Sequence, residues 1–145
     1  MSLQGVYDGE NIFAKIVRGD MPAIRICEDA ATLAFVDVFP QSPGHALVIH
    51  KTSRARNLLD VDLDDLAAVM ATTRRVVRAV VPALRPDGVV ISQFNGSAAG
   101  QTVFHLHIHI IPRWEGVPLG RHAGGMADLD DLKDLARRIA AKLEP

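Results

Sequence analysis

The segment Phe104-His105-Leu106-His107-Ile108-His109-Ile110-Ile111 constrains this chain more than any other. Its alternation has period two. As a strand it puts His105, His107 and His109 on one face and Leu106, Ile108 and Ile110 on the other. As a helix it would fan the imidazoles around the axis. The β-branched neighbours also favour a strand. Three imidazoles are costly to bury without partners, so the histidine face should border a cleft while the apolar face packs a core.

Three readings of that face compete. One is a plain polar strand face. Another is a zinc site. His105 and His109 lie ~13 Å apart at strand rise, so both could not reach one ion without distortion, but two of the three with His45 or His50 could. The third is histidine chemistry, with one nucleophile and neighbours that manage phosphate charge and protons. The third is favoured by the small-residue loop Asn95-Gly96-Ser97-Ala98-Ala99-Gly100, which runs into the strand through Gln101 and Thr102. Its glycines let backbone N–H groups approach an anion, and Gln101 and Thr102 add side-chain donors.

The rest of the chain predicts the frame. Ile12, Phe13, Ile16 and Val17 recur at helical spacing before Gly19, giving a short helix over Asn11 to Arg18. Ile24 to Glu28 and Thr32 to Asp37 read as a hairpin, Pro40 to Gly44 as a turn, and His45 to His50 as a strand. On that strand Ala46, Val48 and His50 face one way, and His45, Leu47 and Ile49 the other. Asp60 or Asp62 caps a helix of about six turns, with Leu63, Leu66, Met70, Thr73, Val77, Val81 and Leu84 as its apolar stripe. Val89 to Phe94 and Val103 to Ile111 are strands, Pro112 to Met126 is irregular, and Asp128 caps a last helix carrying Leu129, Leu132, Leu135, Ile139 and Leu143. Short turns between strands and a single long helix favour an α+β domain with an antiparallel sheet of about five strands.

The 145 residues, with no repeat or linker, read as one domain. A formal net charge of -1 argues against a nucleic-acid polymer as main partner but not against a small nucleotide. The one cysteine, Cys27, has no partner for a disulfide. The first residues lack a basic stretch followed by an apolar one, and no apolar run is long enough to span a bilayer. A cytoplasmic protein without a membrane partner is expected.

The triad with its apolar spacers, preceded by Ala99-Gly100-Gln101-Thr102-Val103 and followed by Ile111-Pro112-Arg113, resembles the histidine-triad (HIT) family from Ile12 to about Trp114. Ile12-Phe13-Ala14-Lys15-Ile16-Val17 resembles the start of its Hint-like and small bacterial branch. The resemblance implies an α+β homodimer in which His107 attacks the α-phosphorus and forms a nucleotidyl-histidine that water then releases. It implies that His105 orients His107 through its backbone carbonyl, and that His109 and His45 sit near the phosphate oxygens. Asn95 and Thr102 match positions contacting the phosphate or leaving group, with Gln101 beside them. Asp37 matches the residue that binds ribose hydroxyls, and Ile12, Phe13 and Ile16 match the wall against the base. Many bacterial relatives hold a structural zinc with cysteines that would fall at Asn11 and Ala14 and a histidine at Ser53, so none is expected here; nor does the scheme need a cofactor. His50, where relatives usually have proline, is left to a solvated strand end.

The expected function is therefore a nucleotide hydrolase or transferase, foremost a purine nucleoside phosphoramidase. A dinucleoside polyphosphate hydrolase, a nucleotide-binding regulatory module with little catalysis, and a zinc hydrolase are the competing readings. The irregular run from Pro112 to Met126 is expected to influence the choice of leaving group.

Overall fold

The structure is a computed structural model describing residues 3–121 and 124–145. Residues 122 and 123 of the irregular run therefore lie outside the described residues. Helix α1 (Ile12–Arg18) begins where the Asn11 side chain accepts from the Ala14 N–H at 3.0 Å and ends at Gly19, whose φ of 86° suits a residue without Cβ. Strands β1 (Arg25–Glu28) and β2 (Thr32–Val36) form the expected hairpin, with Asp29 Oδ1 accepting from the Ala31 and Thr32 N–H groups in the turn. Then come β3 (Ala46–His50), α2 (Leu63–Leu84), β4 (Gly88–Ser92), a 3-10 turn (Ser97–Ala99), β5 (His107–Arg113) and α3 (Leu129–Ala140). The sheet is antiparallel throughout, in the order β1-β2-β3-β5-β4. This is the α+β architecture that the sequence predicts.

The two sheet faces do different work. Ala34, Val36, Ala46, Val48, Ile108 and Ile110 meet α2 and α3 in the larger core. Leu33, Phe35, Leu47 and Ile49 pack with Phe13 and Ile16 of α1 in a second cluster. Register puts Ile49 opposite His107 and Leu47 opposite His109, so these histidines share the α1 face. No described helix is long and apolar enough to cross a membrane.

The structure corrects three local expectations. First, α2 faces the sheet with Val69, Thr72, Thr73, Val76, Ala79 and Val80, while Leu63, Met70 and Val81 are 78%, 42% and 49% exposed. Two apolar stripes run along this helix, and the sheet takes the one with smaller and β-branched residues. A further tie is the buried pair of hydroxyls on Thr32 and Thr72, 2.6 Å apart. Asp62, not Asp60, caps this helix; Asp60 instead accepts from the Arg56 and Asn57 N–H groups.

Second, the histidine strand begins at His107, not Val103, and continues through Pro112 to Arg113. β3 ends at His50, opposite Leu106 in this register, so His105 and the residues before it have no ladder to join, and the Leu106 N–H donates to the Ala55 carbonyl at 3.0 Å. Similarly β4 stops at Ser92, short of Phe94. Third, Leu129 is 49% exposed, and the buried stripe of α3 is Leu132, Ala136 and Ile139.

Candidate active site

His107 enters from the start of β5. Its Nδ1 lies 2.7 Å from the His105 carbonyl oxygen. A carbonyl only accepts, so the ring proton is on Nδ1 and the lone pair on Nε2. The Phe13 ring meets His107 edge-on at 4.8 Å between centroids. His109, two residues on, lies 5.0 Å from His107 by the same measure.

His45 stands just before β3, buried at the end of the turn that Gly44 closes with a φ of 85°. The Gln41 N–H donates to its Nδ1 at 3.0 Å, so the neutral ring carries its proton on Nε2. That nitrogen is 3.0 Å from Nδ1 of His109 and 3.6 Å from Oδ2 of Asp37. His45 thus donates to His109, and neutral His109 carries its own proton on Nε2. Asp37 follows β2; its Oδ1 accepts from the Phe39 N–H, and its backbone N–H donates to the His45 carbonyl.

These assignments decide whether a metal fits. Asp37, His45 and His109 place ligand atoms within 4.8 Å of one another, the one such cluster among the described residues. However, a His45 ring that accepts at Nδ1 would have to become imidazolate to ligate through Nε2, so the set suits proton sharing better than a cation. The positions at which the resemblance implies a structural zinc in relatives carry no cysteine or histidine here. Asn11 is the cap of α1, Ala14 has no ligand atom, and Ser53 Oγ accepts from the Ala55 N–H.

His107, His109, Thr102 and Asp37 line a cavity of about 550 Å³. Ile12, Phe13 and Ile16 supply one wall, with Phe35 and Leu47 from the sheet. Met21, Pro22, Val38, Phe39, Met126 and Leu129 also line it, and sequence reasoning missed them. Val38 and Phe39 follow Asp37 in the chain, which was a usable signal. Met126 and Leu129 return across the irregular run, and nothing local announces that.

His105, His45, Asn95 and Gln101 do not line the cavity. Gln101 is buried: Oε1 accepts from the Gly96 N–H, and Nε2 donates to the carbonyls of Arg56 and Val103. Asn95 Oδ1 accepts from the Leu58 N–H and from Gln93 Nε2. Within the loop, the N–H groups of Gly96, Ala99, Gly100 and Gln101 all donate inside the turn. The expected phosphate cradle has thus committed those donors to its own shape.

His105 sits behind the cavity, with Nε2 3.1 Å from the His50 carbonyl and Nδ1 2.7 Å from the Tyr7 hydroxyl. Burial pushes its imidazole down to about 4; the His50 carbonyl acts to raise it, and the His50 ring charge to lower it. His50 is also no solvated strand end. It is 5% exposed, its Nδ1 accepts from the Thr52 and Ser53 N–H groups, and its Nε2 is 3.2 Å from Asp65 of α2.

Comparison with known proteins agrees with this geometry. The family model for the HIT domain matches residues 18–116. Over 143 residues the chain is 32% identical to adenosine 5'-monophosphoramidase of Schizosaccharomyces pombe, covering 92% of this chain and 98% of that protein. A HIT-like protein from Bartonella henselae, described as involved in cell-cycle regulation, superposes with a TM-score of 0.91 at 43% identity, covering 96% and 100% of the two chains. A zinc-bound histidine triad family protein from Mycobacterium smegmatis gives 0.80 at 38% identity, covering 92% of each.

Proposed function

Because the chain belongs to the histidine-triad family, we propose that it is a nucleotide hydrolase or transferase that cleaves at the α-phosphate of a purine nucleotide, with nucleoside phosphoramidates as its preferred substrates. The observation that carries this reading is the 2.7 Å contact from His107 Nδ1 to the His105 carbonyl. It holds the ring in the tautomer an attacking imidazole needs, on the wall of a cavity of nucleotide size.

In the first step, His107 Nε2 bonds to the α-phosphorus as the bond from phosphorus to the leaving amine breaks. The amine takes a proton that solvent supplies past the Thr102 hydroxyl, while the Nε2–H of neutral His109 donates a hydrogen bond to a phosphate oxygen. In the second, water attacks the same phosphorus and releases its proton to solvent. The bond to His107 breaks and the mononucleotide leaves. His45 supports that arrangement by donating to His109 Nδ1, with Asp37 Oδ2 3.6 Å from the donating nitrogen. The base lies against Ile12, Phe13 and Ile16, and Asp37 is the acceptor for ribose hydroxyls. Thr102 assists the leaving group, and Asn95 acts from outside the cavity, accepting from the Leu58 N–H to hold the loop. Gln101 acts by holding the loop. No step uses a metal or cofactor.

The test is AMP release from adenosine 5'-phosphoramidate with EDTA present, beside His107→Asn. Release by the wild type alone supports the reading. A wild type that binds the nucleotide but releases nothing rejects it, and cleavage of a dinucleoside polyphosphate instead would move the assignment to that substrate class.

We also propose a homodimer, resting on the outer edge of β4. Gly88-Val89-Val90-Ile91-Ser92 carries no charge or proline to blunt that edge, and Val90 and Ile91 are 41% and 43% exposed. Light scattering should report two copies for the wild type and a smaller mass for Val90→Lys; a monomeric wild type refutes the pairing. A single domain over these 145 residues and a cytoplasmic setting are part of the proposal.

A further inference from the structure

The run from Leu3 to Glu10 has no helix or strand, and it lies on the surface except at two points: Tyr7 and Gly9 are half-buried, while Val6 is 93% exposed. Tyr7 therefore points inward from a strap whose other side chains do not. Its hydroxyl reaches Nδ1 of His105 at 2.7 Å, and the Arg54 guanidinium lies 4.7 Å over its ring, a cation–π contact that pins the aromatic plane.

The direction of the hydroxyl contact is fixed. His105 Nε2 faces the His50 carbonyl, which only accepts, so Nε2 carries the proton and Nδ1 the lone pair. Tyr7 therefore donates. The same His105 residue, through its own carbonyl, accepts from Nδ1 of His107. Tyr7, His105 and His107 form one chain of contacts, and the strap continues into α1, whose Phe13 touches both imidazoles at 4.8 and 6.2 Å. We propose that Tyr7 is a positioning residue for the reaction at His107: its hydroxyl locks the His105 ring and with it the carbonyl that holds the nucleophile.

The groups around the His105 ring are consistent with that role. Tyr7 faces it from the strap, His50 from the end of β3, and Phe13 from α1, with the Arg54 charge on the far side of the tyrosine ring. No carboxylate takes part in these contacts. Without the hydroxyl, the buried Nδ1 loses its donor, and the ring must either gain a proton or turn away from the His50 carbonyl.

The proposal rests on the reading of His107 as nucleophile, so its test has a readout separate from turnover. Tyr7→Phe keeps the ring and the Arg54 contact and removes only the hydroxyl. Two-bond ¹H–¹⁵N spectra of the histidine side chains would be recorded from about pH 4 to about pH 8, with His105 and His107 identified by single substitution. The expected result is that His105 begins to charge at least one pH unit higher than in the wild type, and that the His107 Nδ1 proton exchanges with solvent at least tenfold faster. Turnover of the phosphoramidate should fall about tenfold in kcat with little change in KM at neutral pH, and further below it. Arg54→Met, which frees the tyrosine ring but keeps its hydroxyl, should give a smaller shift in the same direction. Val6→Ala should change nothing.

An unchanged His105 titration and an unchanged His107 proton in Tyr7→Phe would overturn the proposal. So would a His105 shift that leaves His107 and wild-type turnover untouched. If the wild type itself turns over no phosphoramidate, the proposed function fails, while the spectra still decide whether Tyr7 positions the two rings.

Discussion

Acid should weaken this fold through His105 in a window set by its burial. The ring titrates near 6.5 when exposed and is pushed down to about 4 in the folded chain. The unfolded chain therefore binds the extra proton between these values, and stability rises with pH across them. The contribution is fully present above about pH 6.5 and lost by about pH 4, amounting to about 3 kcal/mol in all. From about pH 7.5 to about pH 5 the loss through this one ring comes to about 2 kcal/mol. With a urea dependence of about 2 kcal/mol per molar, that moves the unfolding midpoint by about 1 M. Trp114, the only tryptophan in the chain, offers a fluorescence signal, and far-ultraviolet circular dichroism checks it. The comparison is with His105→Asn, which keeps a polar side chain and cannot titrate. Its absolute stability will be lower, but only the slope with pH is read. The other histidines and the carboxylates are common to both proteins and cancel to first order. The wild-type midpoint should fall toward the variant's as pH drops. Parallel lines from about pH 7.5 to about pH 5 would refute the claim that burial keeps this imidazole neutral.

Chelation should leave turnover intact: dialysis against EDTA is expected to change kcat by less than twofold, because His45 spends Nδ1 on the Gln41 N–H and keeps a proton on Nε2; tenfold loss restored by zinc would reverse that assignment. Gly44→Ala should destabilise the chain by about 1–3 kcal/mol, read by urea unfolding. Its φ of 85° is unfavourable to a Cβ, and that Cβ would run into Leu84 and Pro112. An undiminished midpoint would mean the turn relaxes freely. His50→Ala should cost about 1–3 kcal/mol by leaving the Thr52 and Ser53 N–H groups without their acceptor. Faster amide exchange at those residues is the accompanying sign, and unchanged exchange would argue against the capping role.

The two triad histidines on the cavity wall were legible because alternation is a local signal. His107 and His109 needed only the period of a strand to fall on one face, and the register with Leu47 and Ile49 shows that face against α1. The same reasoning failed at His105, which looks identical in sequence. Whether a residue continues a strand depends on whether a neighbour is there to pair with, and β3 has already ended at His50. On α2 the error was one of choice between two valid stripes. Bulk favoured Leu63, Met70 and Val81, but packing a helix closely on a sheet favours Val69, Val76 and Ala79. Tyr7 was illegible for a different reason. Its partner is 98 residues away, and the strap around it has no periodicity to mark an inward side chain.

The proton positions at this site are written mostly in main-chain atoms. The Gln41 N–H sets the tautomer of His45, the His50 carbonyl sets that of His105, and the His105 carbonyl sets that of His107. Each of these groups is present whatever side chain its residue carries. What matters is that a turn or strand end delivers it to the ring. The turn from Pro40 to Gly44 brings Gln41 over His45, and the N–H of Leu106, opposite His50, goes to the Ala55 carbonyl, which leaves the His50 carbonyl to the His105 ring. A triad of histidines alone therefore underdetermines its chemistry. The same three residues on a strand two positions longer would pair that carbonyl with a backbone N–H, turn His105 loose, and remove one of the fixed directions that orient the proposed nucleophile.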